Sequence, residues 1–129
     1  MQNENNKLIA LVVEDNQDFA QLVCDILHIQ GCTPHVAYRA EAALTIARNI
    51  NPDIVFCDLG LPGDMNGLDF ARSMRADASL RSIPLVAITG YTSEQDKAAA
   101  MAAGFNMVFP KPFKFVDLTN AIAQYARRD

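Results

Sequence analysis

Five times along the chain a short apolar run gives way to a longer amphipathic segment, and this alternation narrows the fold more than any single motif. Residues 8–13 form a continuous apolar run, too short for an ordinary helix and rich in β-branched side chains, so they read as a buried strand. Phe19, Leu22, Val23, Ile26 and Leu27 then share one helical face, with Asn16 placed to cap that helix and Gly31 to end it. Residues 33–37 read as a second strand. The helix after it carries Ala43, Leu44, Ala47 and Ile50, lacks a clear cap and is stopped by Asn51-Pro52. Residues 53–57 make a third strand, followed by a turn-rich stretch from Gly60 to Gly67 and a helix over about residues 68–76 with Leu68, Ala71 and Met74 inward. Pro84 opens a fourth strand over residues 85–89, and Thr92 and Gln95 have capping-box spacing before an Ala-rich helix that Gly104 closes. Residues 107–109 form a short fifth strand. The last helix turns Phe115, Leu118, Ile122 and Tyr125 inward and ends in Arg127 and Arg128, which suit the negative end of a helix dipole. Strands alternating with helices predict an α/β domain, a parallel sheet covered on both faces, with the strand order left open by the pattern.

The chain has 129 residues, enough for one domain with a real core. Residues 1–7 are polar and read as a flexible tail ahead of a domain over residues 8–129. The stretch lacks the basic-then-apolar order of a secretory signal, and no apolar run approaches the roughly 20 residues of a membrane span. Membrane insertion is therefore not expected. Cys24, Cys32 and Cys57 are odd in number and without Cys-x-x-Cys spacing, so buried thiols in a reducing, cytoplasmic setting are expected rather than disulfides or zinc. The net charge of −4 argues against direct DNA binding, which needs a basic face, and no DNA-binding segment follows Asp129.

In an open parallel sheet, ligands bind outside the carboxyl ends of the strands. Glu14 and Asp15 follow the first expected strand and Asp58 the third; Thr89 ends the fourth, and Lys111 follows the fifth. Three carboxylates gathered at one rim repel each other and raise each other's pKa unless a cation offsets them. Mg²⁺, bound through oxygen, suits a few carboxylates, and Lys111 adds a second positive charge. A cation and a lysine beside a free carboxylate form a site for phosphoryl transfer onto an Asp oxygen.

With those residues in place, the chain resembles the receiver domain of two-component response regulators. The matching segments are Val-Val-Glu-Asp-Asn at 12–16, Asp-Leu-Gly-Leu-Pro at 58–62 with Gly67 beyond it, Ala-Ile-Thr-Gly at 87–90, Ala-Ala-Gly-Phe at 102–105 and Lys-Pro-Phe at 111–113. The resemblance implies a flavodoxin-like (βα)5 fold with strand order 2-1-3-4-5. It implies Asp58 as phosphoacceptor, Glu14, Asp15, Asp58 and the Gly60 carbonyl as Mg²⁺ ligands, and Thr89 and Lys111 on the phosphoryl oxygens. It also implies a cis Lys111-Pro112 bond. The donor would be a phosphohistidine on a sensor histidine kinase or phosphotransfer protein. The output would be a rearranged face of the fourth helix, fifth strand and fifth helix, read by a protein partner. Such a chain is a signalling switch rather than a metabolic enzyme.

Three departures from the family pattern stand out. The segment from Asp58 to Gly67 is one residue longer than the family pattern, the extra residue lying within residues 63–66. Val108 replaces the usual switching aromatic, and strand alternation sends Phe109 to the opposite face. Pro110 removes a backbone donor just before Lys111. Gly60 and Tyr91, each two residues beyond a site residue, occupy positions that influence water access in the family; Tyr91 is expected to shield one side of the phosphoryl group and Gly60 to leave the other open. A stand-alone receiver and a receiver from a hybrid sensor kinase both fit. A Mg²⁺-dependent phosphatase of the haloacid dehalogenase type needs a second Asp where Gly60 stands, and a flavin protein needs a phosphate-cradling loop where Glu14 and Asp15 stand.

Overall fold

The computed structural model describes residues 7–126; the expectations for residues 1–6 of the tail and for Arg127 and Arg128 lie outside them. Five strands, β1 (Ile9–Val13), β2 (Thr33–Ala37), β3 (Ile54–Cys57), β4 (Leu85–Thr89) and β5 (Met107–Pro110), alternate with five helices. The helices are α1 (Gln17–Ile29), α2 (Ala40–Ile50), α3 (Gly67–Ala76), α4 (Glu94–Ala103) and α5 (Phe115–Tyr125). Every strand pair is parallel and the order is β2-β1-β3-β4-β5, as the resemblance implied.

Side-chain alternation splits the core in two. Leu11, Val13, Val55, Cys57, Leu85 and Ala87 face α2, α3 and α4, where they meet Leu44, Phe70, Met74 and Ala100. Ala10, Val12, Ile54, Phe56, Val86 and Ile88 face α1 and α5, where they meet Val23, Leu27 and Leu118. Both faces of the central strands are dry, which is why β1, β3 and β4 read as unbroken apolar runs. Val108 packs with the first cluster and Phe109 with the second, so the two side chains do lie on opposite faces.

Helix boundaries follow local chemistry. Asn16 caps α1 by accepting the Phe19 N–H at 2.9 Å, and Gly31, at φ +90°, takes the chain out of that helix. Asn51 leaves α2 in the left-handed region, and Asn66 and Asp69 form a capping box at α3. Three expectations need correction. The box at α4 is Ser93 with Asp96, one residue later than Thr92 with Gln95: Ser93 Oγ accepts the Asp96 N–H at 3.0 Å and Asp96 returns the contact at 3.3 Å. In α3 it is Phe70, with Ala71 and Met74, that is buried, while Leu68 is only half-buried. In α5, Leu118 and Ala121 are buried, but Phe115 is 49% exposed, because it opens the helix beyond the end of that inner face.

Pro110 finds its reason in the topology. β5 is the sheet's edge strand and pairs only with β4. Lys111 donates its N–H inward to the Thr89 carbonyl at 2.9 Å, so by alternation the nitrogen of Pro110 faces the open edge, where a missing donor costs the ladder nothing.

Candidate functional site

Each strand of the central pair delivers an acid as it ends. The N–H of Glu14 is held by the carbonyl of Ala37 at 3.0 Å, and that of Asp58 by the carbonyl of Val13 at 2.9 Å, so the ladder itself fixes where both residues leave the sheet. Oxygens of Glu14, Asp15 and Asp58 lie within 4.8 Å of one another. Glu14 is 3% exposed and Asp58 9%, whereas Asp15 is open to solvent. Lys111 bridges the two buried acids, with Nζ 2.8 Å from Glu14 Oε1 and 3.2 Å from Asp58 Oδ2. The Lys111-Pro112 bond is cis.

The remaining acceptors are used as well. Glu14 Oε2 accepts the Asn16 N–H at 2.9 Å and Asp58 Oδ1 the Gly60 N–H at 3.2 Å. Burial pushes the Glu14 carboxyl up and the nearby Asp58 charge adds to this, against the opposing pull of Lys111 and the Asn16 N–H. Burial draws the Lys111 ammonium down, but its bond to Glu14 and the charges of Asp58 and Glu14 outweigh that and hold it above the ordinary lysine value. The Cys57 thiol is fully enclosed beside both acids and is pushed well up, so it stays protonated and inert. All three cysteines are free, Cys32 and Cys57 buried and Cys24 half-buried.

Thr89 is wholly buried at the end of β4, and its Oγ1 accepts the Tyr91 N–H at 3.0 Å. Two glycines set the β3–α3 segment. A Cβ on Gly67 would collide with the Asp58 carbonyl and the Leu59 Cα, so glycine lets α3 start directly against the acceptor strand. A Cβ on Gly60 would lie 2.7 Å from Cε2 of Tyr91, which means that the tyrosine ring stands over Gly60 and that side of the rim is not left open. Within that segment Gly63 stands at φ +91°, with the Arg39 guanidinium packed against it.

The structure thus brings Glu14, Asp15, Asp58 and Lys111 together, with Gly60 and Thr89 at the same rim. Sequence reasoning missed Phe19, which it assigned only to the helix core. Its ring centroid is 4.5 Å from Lys111 Nζ and it meets Phe113 edge-on at 5.6 Å. The available signal was its place in the first turn of the helix behind Glu14-Asp15.

Comparison with known proteins agrees with this layout. The family model described as response regulator receiver domain matches residues 10–123. The DNA-binding response regulator MtrA of Mycobacterium tuberculosis is 34% identical over 119 residues, 92% of this chain and 50% of that protein. An uncharacterised 14.6 kDa protein of Leptolyngbya boryana is 30% identical, over 89% of this chain and 87% of its own length. Among solved structures, the receiver domain of sensor histidine kinase PA1611 from Pseudomonas aeruginosa, with a magnesium ion in its active-site cleft, superposes with a TM-score of 0.85 at 25% identity, covering 92% of this chain and 97% of that one. The chain spans about half the length of the MtrA relatives it matches. Their name overturns the expectation of no direct DNA binding, which was drawn from the charge of −4 and from the lack of a DNA-binding segment after Asp129. The acidity belongs to a receiver segment, and a basic face can reside in a part of a longer protein that the segment does not contain. No described helix is long and apolar enough to cross a membrane.

Proposed function

Because the chain belongs to the response regulator receiver domain family, we propose that it takes a phosphoryl group from a phosphohistidine onto Asp58 and passes the change to the face of α4, β5 and α5. The observation that carries this reading is the buried bridge of Lys111 between Glu14 and Asp58, with Asp15 alongside. Glu14, Asp15, Asp58 and the Gly60 carbonyl would hold Mg²⁺, which when bound supplies charge neutralisation for the phosphoryl oxygens. The relative whose structure contains magnesium in its cleft supports that assignment.

An Asp58 carboxylate oxygen attacks phosphorus, the phosphorus–nitrogen bond to the imidazole breaks, and the departing ring takes up a proton. Lys111 leaves its carboxylate partners for a phosphoryl oxygen, and Thr89 donates its hydroxyl proton to another. A hydroxyl has one donor and two lone pairs, so Thr89 can donate while still accepting from Tyr91. The start of the β4–α4 connection therefore follows Thr89, and the signal reaches α4 without a swinging aromatic at Val108.

Intact-mass measurement after incubation with acetyl phosphate tests the reading. One phosphoryl adduct is expected, dependent on Mg²⁺ and absent in Asp58→Asn. An adduct that persists in Asp58→Asn would move the acceptor elsewhere.

A further inference from the structure

Resting on that reading, we propose that Phe19 is a positioning residue for phosphoryl transfer, an aromatic platform that holds the Lys111 ammonium over the acceptor. Four contacts close a ring. Glu14 Oε2 accepts the Asn16 N–H at 2.9 Å, and Asn16 Oδ1 accepts the Phe19 N–H at 2.9 Å. The Phe19 ring lies 4.5 Å from Lys111 Nζ, and Nζ returns to Glu14 Oε1 at 2.8 Å. The cap that starts α1 thus also fixes the ring with respect to the acid and the lysine it serves. Phe113 braces the ring, its plane at 86° to that of Phe19.

An ammonium has three N–H donors. In Lys111 one points to Glu14 and one to Asp58. The negative face of the Phe19 ring is the remaining partner, and it is the one that neither metal nor phosphate competes for. When both carboxylates turn to a cation and a phosphoryl group, the ring keeps Nζ at its post. A four-carbon side chain that is 27% exposed would otherwise wander.

The test compares Phe19→Leu, which keeps apolar bulk without a π face, with Phe19→Tyr, which restores the face. Acetyl phosphate is the donor, at saturating Mg²⁺, and rate constants are read by intact mass. Phe19→Leu should be slower by about 3- to 10-fold, in line with a partly desolvated cation–π contact, with an unchanged circular dichroism spectrum. Phe19→Tyr should return the rate to within about 2-fold of the parent, since the two rings have similar faces. A Phe19→Leu protein as fast as the parent, or a Phe19→Tyr protein as slow as Phe19→Leu, overturns the platform. Proton NMR of the Lys111 side chain separates this from the acceptor assignment. The Hε signals should be shifted upfield by the ring in the parent and in Phe19→Tyr, and not in Phe19→Leu. A parent that shows the shift but takes no phosphoryl group sinks the function proposed for Asp58, and the positioning role with it, while the contact between ring and ammonium stands; a parent that takes the group but lacks the shift sinks the platform alone.

Discussion

Two cations anchor opposite rims of the sheet, and they are held in opposite ways. At the amino ends of β4 and β5, Arg75 gives its guanidinium to neutral oxygens. Gly104 O accepts from Nε and Nη2 at 3.0 and 2.7 Å, Arg81 O and Ile83 O accept from Nη1 at 2.7 and 2.6 Å, and Asn106 Oδ1 accepts at 3.0 Å. Burial lowers its pKa, yet a guanidinium remains charged under all ordinary conditions. At the carboxyl ends, Lys111 sits between two ionisable carboxylates and an aromatic ring. The carbonyls around Arg75 are at fixed places in the backbone and accept a planar fork; no ion in solution replaces that geometry. Carboxylates such as those around Lys111 suit a compact cation by their chemistry. One rim is a fastener, and under the proposed function the other would be an exchangeable contact.

Removing each cation should break the comparison most visibly. Arg75→Ala strands the part-buried carbonyl oxygens of Gly104 and Ile83 and is expected to cost about 2 to 3 kcal/mol in urea unfolding, each buried unsatisfied group being worth about 1–3 kcal/mol and these being only partly enclosed. Added Mg²⁺ should recover little of it. Lys111→Met leaves Glu14 and Asp58 facing each other without a counter-charge. Breaking a buried pair costs about 3–5 kcal/mol, which the 27% exposure of Lys111 reduces to about 2 kcal/mol. Here millimolar Mg²⁺ should restore most of the loss. Equal recovery in the two variants would mean that the rims are not different in kind.

A smaller effect sharpens the same contrast through pH. The Glu14 carboxyl lies above 4.5, first because it is buried. Between its unfolded and folded values the native chain binds more protons than the unfolded one, so the metal-free protein loses stability as pH rises through that window. If Glu14 holds Mg²⁺ as proposed, the ion would bind the ionised form, so its affinity should fall as pH drops below the Glu14 value, by at most about tenfold per pH unit for one competing proton. Isothermal titration across that range reads the slope, and Glu14→Gln should flatten it. A slope unchanged in Glu14→Gln would assign the competing proton to another acid.

How much of this was legible in the sequence differs between the rims. The carboxyl rim was readable because parallel strands put whatever follows them at one edge, so Glu14, Asp15, Asp58, Thr89 and Lys111 could be collected without knowing the strand order. The amino rim was not. Arg75 reads as one basic residue near a helix end, and its partners are backbone oxygens, which have no residue type to recognise. Phe19 was hidden for a related reason: a helical period assigns a face, not a neighbour, and the neighbour arrives from Lys111, 92 positions later in the numbering from 19 to 111. Asn16, which stands between Asp15 and Asp18, does cap α1, while of the neighbours Thr92 and Ser93 the backbone geometry selects Ser93 rather than Thr92.

The smallest expected effect concerns the lip of the carboxyl rim, where Tyr91 leans over Gly60. A Cβ added at Gly60 meets Cε2 of Tyr91 at 2.7 Å and its hydroxyl oxygen at 3.1 Å. Those atoms are the far end of a side chain that is 56% exposed, free to rotate outward into water. Gly60 has no positive φ to preserve, so alanine brings no backbone strain. Gly60→Ala should therefore change unfolding free energy by less than about 0.5 kcal/mol, as surface substitutions usually do. The ring, however, should leave the rim, seen as loss of the nuclear Overhauser contact between the Tyr91 ring and the Gly60 Cα protons. If the phosphoryl group on Asp58 then hydrolyses faster, the ring is a shield against water. If it hydrolyses at the parent rate while the contact is gone, the ring only covers glycine. A loss of stability well beyond 0.5 kcal/mol, about the limit for an exposed site, would show that Tyr91 cannot yield and that the lip is as fixed as the rim Arg75 holds.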